Sequence, residues 1–278
     1  MTAQHKRGVA LVAVLWIVAA LSLLVAGMTQ SVRQYTRTVA AARDAVVAQA
    51  LGDAAIQLAL QSLQVAQPRP VGRQSLDVQF GGVSVTVVVQ PLNGLIDLDR
   101  APQPLLASLL ATAGGLPAAR AQVLAQTLDE WRTSRVAGSS EPARFEAIED
   151  LLLVPGVDYS LYERLRPLIS VDPLGTGKVN PLAADVGVLA VLANGNLALA
   201  AQVAAAQDAG RLGIDTSGLD PRFIETGSTE RYRLEARVSG EQGKIEVFSR
   251  SVAFGDSASG VPWQTLRTER WVMPAGAA

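Results

Sequence analysis

The amino-acid sequence predicts an α+β fold: one long N-terminal helix with a membrane-spanning first half, an antiparallel sheet, and a large α-helical domain inserted into that sheet. Three observations predict it. Helical periodicity continues from an apolar N-terminal run to Pro68 with no proline on the way. Runs that alternate apolar and polar residues mark strands on both sides of a long middle stretch. That stretch, residues 92–229, is rich in Ala and Leu and punctuated by Pro and Gly.

The first element begins with a short polar leader, Met1 to Arg7, ending in His5-Lys6-Arg7 and followed by Gly8. From Val9 to Val32 no residue is charged, and Val9 to Met28 holds one hydroxyl, Ser22. Such a run, at about 1.5 Å per residue, spans a hydrocarbon layer of ~30 Å as a helix. A cleaved secretory signal would have a shorter apolar region, about 7–15 residues, and a small-x-small site after it. This run is longer and no good site follows, although hydropathy alone leaves a plain signal anchor open. The helix pattern does not stop at the membrane edge. Val32, Tyr35, Val39, Val46 and Ala50 recur at helical steps, and Val47, Leu51, Ala54 and Leu58 form a second stripe. A helix from Val9 to about Gln64 would be ~84 Å long, half in lipid and half projecting with a packable face.

Strands come next. Leu76, Val78 and Phe80 alternate with polar residues, Gly81-Gly82 follows, and Val83, Val85, Val87 and Val89 alternate again, which reads as a β-hairpin. Far downstream Tyr232, Leu234, Ala236 and Val238 line one strand face, with Arg231, Arg233, Glu235 and Arg237 on the other. Residues 240–243 turn into a strand at Ile245–Phe248, and Trp263 to Val272 makes the last one.

The middle carries a weak internal repeat. Gly94-Leu95-Ile96-Asp97 precedes Leu106-Ala107-Ser108-Leu109, and Gly177-Lys178-Val179-Asn180 precedes Leu189-Ala190-Val191-Leu192 at the same spacing. Each copy reads as a short extended segment turning into a helix. Between the copies, Phe145–Val157 leads through Pro155-Gly156 to another helix from Tyr159 to Leu168.

Composition narrows the chemistry. Hydrophobic residues make up 49% and charged residues 18%, which argues against wholesale disorder. The formal charge of −1 argues against a chain built around nucleic-acid phosphates. There is no Cys, and the one His is His5 in the leader. Without the leader, imidazole acid–base chemistry, Ser-His-Asp triads and ordinary zinc sites are excluded. The acidic doublets Asp129-Glu130 and Glu149-Asp150 point about 100° apart on a helix, so they and the Asp97/Asp99 pair read as solvated faces or caps. Trp131, Trp263 and Trp271 read as buried anchors. Leu153–Val157 resembles a helix-hairpin-helix, whose amides can hold a DNA phosphate. Here Glu149, Asp150 and Asp158 flank it, with Arg164 and Arg166 as the nearby basics, so a packing hairpin is the favoured reading.

A basic leader ending in Gly, an apolar run directly after it and an amphipathic continuation resemble a type IV prepilin or pseudopilin. The resemblance implies cleavage between Gly8 and Val9 by prepilin peptidase and N-methylation of Val9. Loss of Lys6 and Arg7 would move the charge from −1 to −3. Most of that superfamily carries Glu at the fifth mature position, and here Ala13 stands there. That absence resembles the K class of pseudopilins (GspK) of type II secretion. So do the two Gly-x-Ile-Asn-like copies and the Phe145–Val157 stretch. The resemblance covers nearly the whole chain and implies a pilin-like plan: leader 1–8, long helix 9–64 with 9–28 transmembrane, sheet parts 65–91 and 230–273, inserted helical domain 92–229. It also implies a non-enzymatic tip subunit of the periplasmic pseudopilus, partnered by I- and J-class minor pseudopilins and the major pseudopilin. The chain would cross the inner membrane once, N-terminus cytoplasmic and C-terminal domain periplasmic. Arg33, Arg37 and Arg43 weaken the positive-inside bias, so this orientation rests on the resemblance. Members of the class hold calcium near an Asp-Trp-x-Asp run. Asp129, Trp131 and Glu141 match part of it, but Arg132-Thr133-Ser134-Arg135 stand where further acids are expected, so no calcium site is carried over and no cofactor is expected. The exposed half of the helix, around Val39, Val46, Val47 and Leu51, is the expected partner surface. A membrane-anchored helix-hairpin-helix DNA-binding protein, or a minor pilin of a DNA-uptake or type IV pilus system, is the alternative.

Overall fold

The computed structural model describes residues 4–134, 144–211, 213–240, 244–255 and 260–273. One helix dominates it. α1 runs from Gln4 to Val65, 62 residues or about 93 Å, and stops short of Pro68. Its C-terminal part is a core helix. Ala48, Ala55, Ile56, Ala59, Leu60 and Leu63 recur at helical spacing and are buried against the sheet. Gly52 sits in the same face, where a Cβ would lie 2.4 Å from a ring carbon of Phe248, so helix and sheet meet too closely for any side chain there. Thr38–Val65 is long and apolar enough to cross a bilayer, yet its second half is spent on this core. Further up, Val12, Val14, Leu15, Trp16, Ile17, Val18 and Leu21 are all exposed.

Five strands form one antiparallel sheet in the order β1-β2-β5-β6-β7. β1 (Gln74–Phe80) and β2 (Val83–Pro91) make the hairpin around Gly81 and Gly82, both at positive φ, as a tight two-residue connection requires. β5 (Arg231–Ser239), β6 (Ile245–Phe254) and β7 (Trp263–Met273) complete it, with a bulge opposite Ser251/Val252. β2 pairs directly with β5, so everything between them is an excursion from two neighbouring strands. One sheet face, with Val85, Val87, Val89, Tyr232, Leu234, Ala236, Val238, Phe248 and Phe254, covers α1.

The excursion has a hydrophobic core of its own, drawn from residues between Ile96 and Phe223. α2 (Gln103–Thr112) and α3 (Ala118–Thr133) start after Pro102 and Pro117, where a missing N–H costs nothing. α4 (Tyr159–Leu165), α5 (Val186–Leu192) and α6 (Leu197–Asp208) are capped by Asp158, Asp185 and Asn196, each accepting from the amide three residues on. Residues Ile148–Leu153 form a 3₁₀ helix rather than an α-helix. β3 (Ile96–Asp97) and β4 (Ile169–Ser170) pair in parallel.

The repeat has a physical counterpart. Ile96 makes a parallel bridge to Ile169, and its counterpart Val179 makes one to Ile224. Asp97 accepts from the Asp99 amide at 3.0 Å, and Asn180 accepts from the Leu182 amide at 3.0 Å. The copies also lock each other. A Cβ on Gly94 would lie 2.3 Å from the Ala183 carbonyl oxygen, and one on Gly177 would lie 2.2 Å from the Arg100 carbonyl oxygen. Arg100 and Ala183 occupy equivalent places six residues after those glycines, so the contact is reciprocal.

Candidate functional site

The long helix offers the most extensive unpaired surface. Tyr35, Val39 and Val46 lie within about 40° of one another around the axis, on a flank roughly 120° from the centre of the face buried against the sheet. Val46 is 67% exposed, and Val39 and Val47 are about half exposed. Leu51 departs from the expected partner set. It is half-buried and packs against the chain's own core, because its position turns toward the edge of the sheet. Farther toward the N-terminus Leu21, Val18 and Trp16 are exposed as well, the last at 73%. Apolar side chains all round a helix, with no protein over them, suit lipid or other helices. The backbone of α1 passes through Gly8, Val9 and Ala13; their side chains lie outside the described residues.

The other sequence candidates resolve into packing. Leu153–Val157 is a turn between the 3₁₀ helix and α4. The Val154 and Val157 amides donate to Leu151 and Val154 carbonyls, so they are spent inside the turn. Arg164 bonds Ser160, and Arg166 lies over the Trp271 ring at 4.5 Å. Asp129 is occupied by Arg132, whose other nitrogen donates to the Leu98 carbonyl. Trp131 stacks on Phe145 with centroids 4.5 Å apart, and Trp263 meets Phe254 edge-on. Glu141 lies outside the described residues, and among those described no three acids or histidines converge as a metal site would need. Asp150 accepts from the Glu146 and Ala147 amides. Burial is the largest single effect and would raise the Glu149 carboxyl, but the Arg267 hydrogen bond and charge, a backbone hydrogen bond and the Tyr162 hydroxyl together hold the group below its usual range.

Sequence reasoning missed the seam between the excursion and the second face of the sheet. Arg231 pairs with Asp172, and Arg267 with Glu149 and Glu269. Arg233 donates to the Ile169 carbonyl at 3.0 Å, and Gln90 to that of Ala183. The alternation along β5 grouped these arginines on one face, but no local signal showed that the face would be covered. Asp97 lies within the excursion, paired through β3 with Ser170, and one of its carboxyl oxygens is buried and unpartnered. Burial, first among its causes, lifts its pKa to about 6.

No protein-family model and no curated protein matches the chain. Among solved structures it is similar to a chain of the GspK-GspI-GspJ complex from the type 2 secretion system of enterotoxigenic Escherichia coli. The identity is 17% and the TM-score 0.47, over 87% of this chain and 99% of that one.

Proposed function

We propose that the chain is a non-enzymatic minor pseudopilin of the K class, anchored in the inner membrane by Val9–Met28 and working at the tip of a type II secretion pseudopilus. The observation that carries this is the division of α1. Its C-terminal part is locked into a sheet, while its N-terminal part presents apolar residues on every side to something outside the chain. A secreted domain has no use for such a helix; a filament of packed helices does. The leader and the Gly8–Val9 boundary support processing by prepilin peptidase, and Ala13 supports a terminal position. A Glu there would pair with a neighbour's N-terminal amine inside the apolar bundle, where an unpaired charge is costly. A subunit with Ala13 offers no such partner, while its own Val9 amine can still be neutralised by a neighbour. It therefore has room for subunits on one side only. The bulk of residues 92–229 points the same way, because it would crowd a repeating shaft.

Mass spectrometry of the protein purified from membranes tests the first step. The mature chain should begin at methylated Val9, and Gly8→Ala should leave a longer, unprocessed form. An N-terminus inside or beyond the apolar run would overturn the reading. The partner surface is tested by Val39→Asp with Val46→Asp, which should weaken capture of I- and J-class partners while thermal unfolding stays unchanged, since both residues are exposed. Unchanged capture by a folded variant would place the interface elsewhere.

A further inference from the structure

The seam between the excursion and the sheet encloses a cavity of ≈ 1160 Å³. Its buried polar residues are Arg233, Ser170, Asp172 and Ser251, with Arg233 4% exposed. Arg233 stands on β5 between Gln90 on β2 and Ser251 on β6, so the sheet register fixes its place. Its guanidinium is underused. Nη2 donates to the Ile169 carbonyl, while Nε has no partner, and neither have Ser170 Oγ and Arg267 Nε.

Among the described residues no acid makes an ion pair with it, although Glu235, Glu269 and the buried Asp185 act on it through space. Asp172 is taken by Arg231, Glu269 by Arg267, and Asp150 by backbone amides. Asp99 and Glu146 line the cavity, and Glu235 acts on Arg233 through space, but among the described residues none of the three makes an ion pair with it. A buried guanidinium with a free edge is costly until an anion meets it. The walls are of another kind: the stacked Trp131–Phe145 pair, Ile148, Leu153 and Leu266.

We propose that this cavity binds a carboxylate carried on an apolar or aromatic body. The carboxylate would pair with Arg233 and the Ser170 hydroxyl, whose unpartnered atoms are closed to solvent until the lining yields, and the body would lie against Trp131 and Phe145. Arginine suits this task because its planar fork matches a carboxylate. Pockets of this order of size hold a small organic acid or the last residues of a polypeptide, and both present the same chemistry. The site uses nothing from the exposed half of α1, so its failure would leave the filament reading standing, and the converse holds too.

The test uses the full-length chain in nanodiscs with 5-fluorotryptophan at its four tryptophans. Titration with 3-phenylpropionate should shift the Trp131 resonance saturably and leave Trp263 in place. The neutral 3-phenylpropionamide should bind at least about tenfold more weakly, a difference of about 1.4 kcal/mol. Arg233→Lys, which keeps the charge but loses the fork, should weaken binding by a similar factor. Leu266→Trp, made at a residue 40% exposed, should fill the mouth and abolish the shift without threatening the fold. The tripeptide Ala-Ala-Phe with a free C-terminus, compared with its amide, separates the two sources. Tighter binding than phenylpropionate assigns the site to a polypeptide end, and weaker binding to a free acid. A Trp131 signal that ignores the acid, equal binding of acid and amide, or undiminished binding by Arg233→Lys or Leu266→Trp would overturn the proposal.

Discussion

The two faces of the five-stranded sheet are covered by different physics. Toward α1, valines, Leu234, Tyr232, Phe248 and Phe254 meet alanines, Ile56, Leu60 and Leu63, and the ion pair Arg250–Asp53 stands at the margin. Contact there is set by shape, closely enough that Gly52 has no room for a Cβ. Toward the excursion, Arg231, Arg233, Gln90 and Ser251 meet Asp172, the Ile169 carbonyl and the Ala183 carbonyl. Contact there is set by pairing, and the apolar core on its far side is a separate cluster. A sheet face that alternation makes polar can thus be buried when most of its charges are paired, as Arg231 and Arg267 are, while Arg233 rests on a carbonyl alone. Such a seam contributes little net stability but penalises every misplacement.

The largest expected effect comes from breaking one pair in the seam. Asp172→Ala leaves Arg231 half-buried without its carboxylate and should cost about 3 kcal/mol. Thermal unfolding of the solubilised chain, followed by circular dichroism, should fall by several degrees. The double replacement Arg231→Met with Asp172→Leu should recover most of the loss, since an apolar pair of similar volume needs no partner. Failure of the double variant to recover would mean that the pair also fixes geometry. On the other face, Gly52→Ala should cost about 2 kcal/mol by overpacking. Phe248→Leu in the same chain should partly relieve it. A shape defect would then be repaired by volume, as a charge defect is by neutralisation. If Gly52→Ala proves neutral, helix and sheet can slide apart, and the contrast between the faces is weaker than drawn.

A further effect, read as a pH dependence, belongs to Asp97, which lies within the excursion with an unpartnered oxygen. Its folded pKa, about 6, exceeds the unfolded value of 3.8, so the folded state binds the extra proton between those values. Stability should therefore fall as pH rises from about 4 to 6 and stay lower above. Asn180 holds the equivalent place in the second copy, where its amide donates to the Val71 carbonyl at 3.0 Å. Asp97→Asn should raise the unfolding temperature at pH 7.5 and flatten this part of the pH profile. An unchanged profile would show that the carboxyl reaches water in solution.

Much of this was legible in the residues. Period-two alternation placed the hairpin and β5, because these strands have one face on an apolar core and the sequence records it residue by residue. The long helix was legible for the same reason, and through the absence of proline. The repeat was visible as a spacing, but its reciprocal lock through Gly94 and Gly177 was not, since a glycine does not announce what approaches it. The parallel pairing of Ile96 with Ile169 joins segments far apart in sequence and leaves no local trace. The 3₁₀ character of Ile148–Leu153 was hidden as well, because its apolar residues fit an α-helical reading. On the candidate surface, Val39, Val46 and Val47 followed from helical spacing, whereas Leu51 shares that spacing and still turns inward. Arg233 was read on the correct face of its strand, but only the fold shows that face closed over.

α1 passes from its exposed half to its sheet-bound half without a break, and this turns residue count into an angle. Each residue added between Leu21 and Ala48 would rotate the sheet and the excursion about 100° around the helix axis and raise them by about 1.5 Å. Seven residues would nearly restore the bearing, within about 20°, while lifting the folded part by about 10 Å. The direction in which the bulky end of the molecule faces is therefore fixed by the length of that stretch. Substitutions there should leave that bearing unchanged, and a single-residue deletion should alter it.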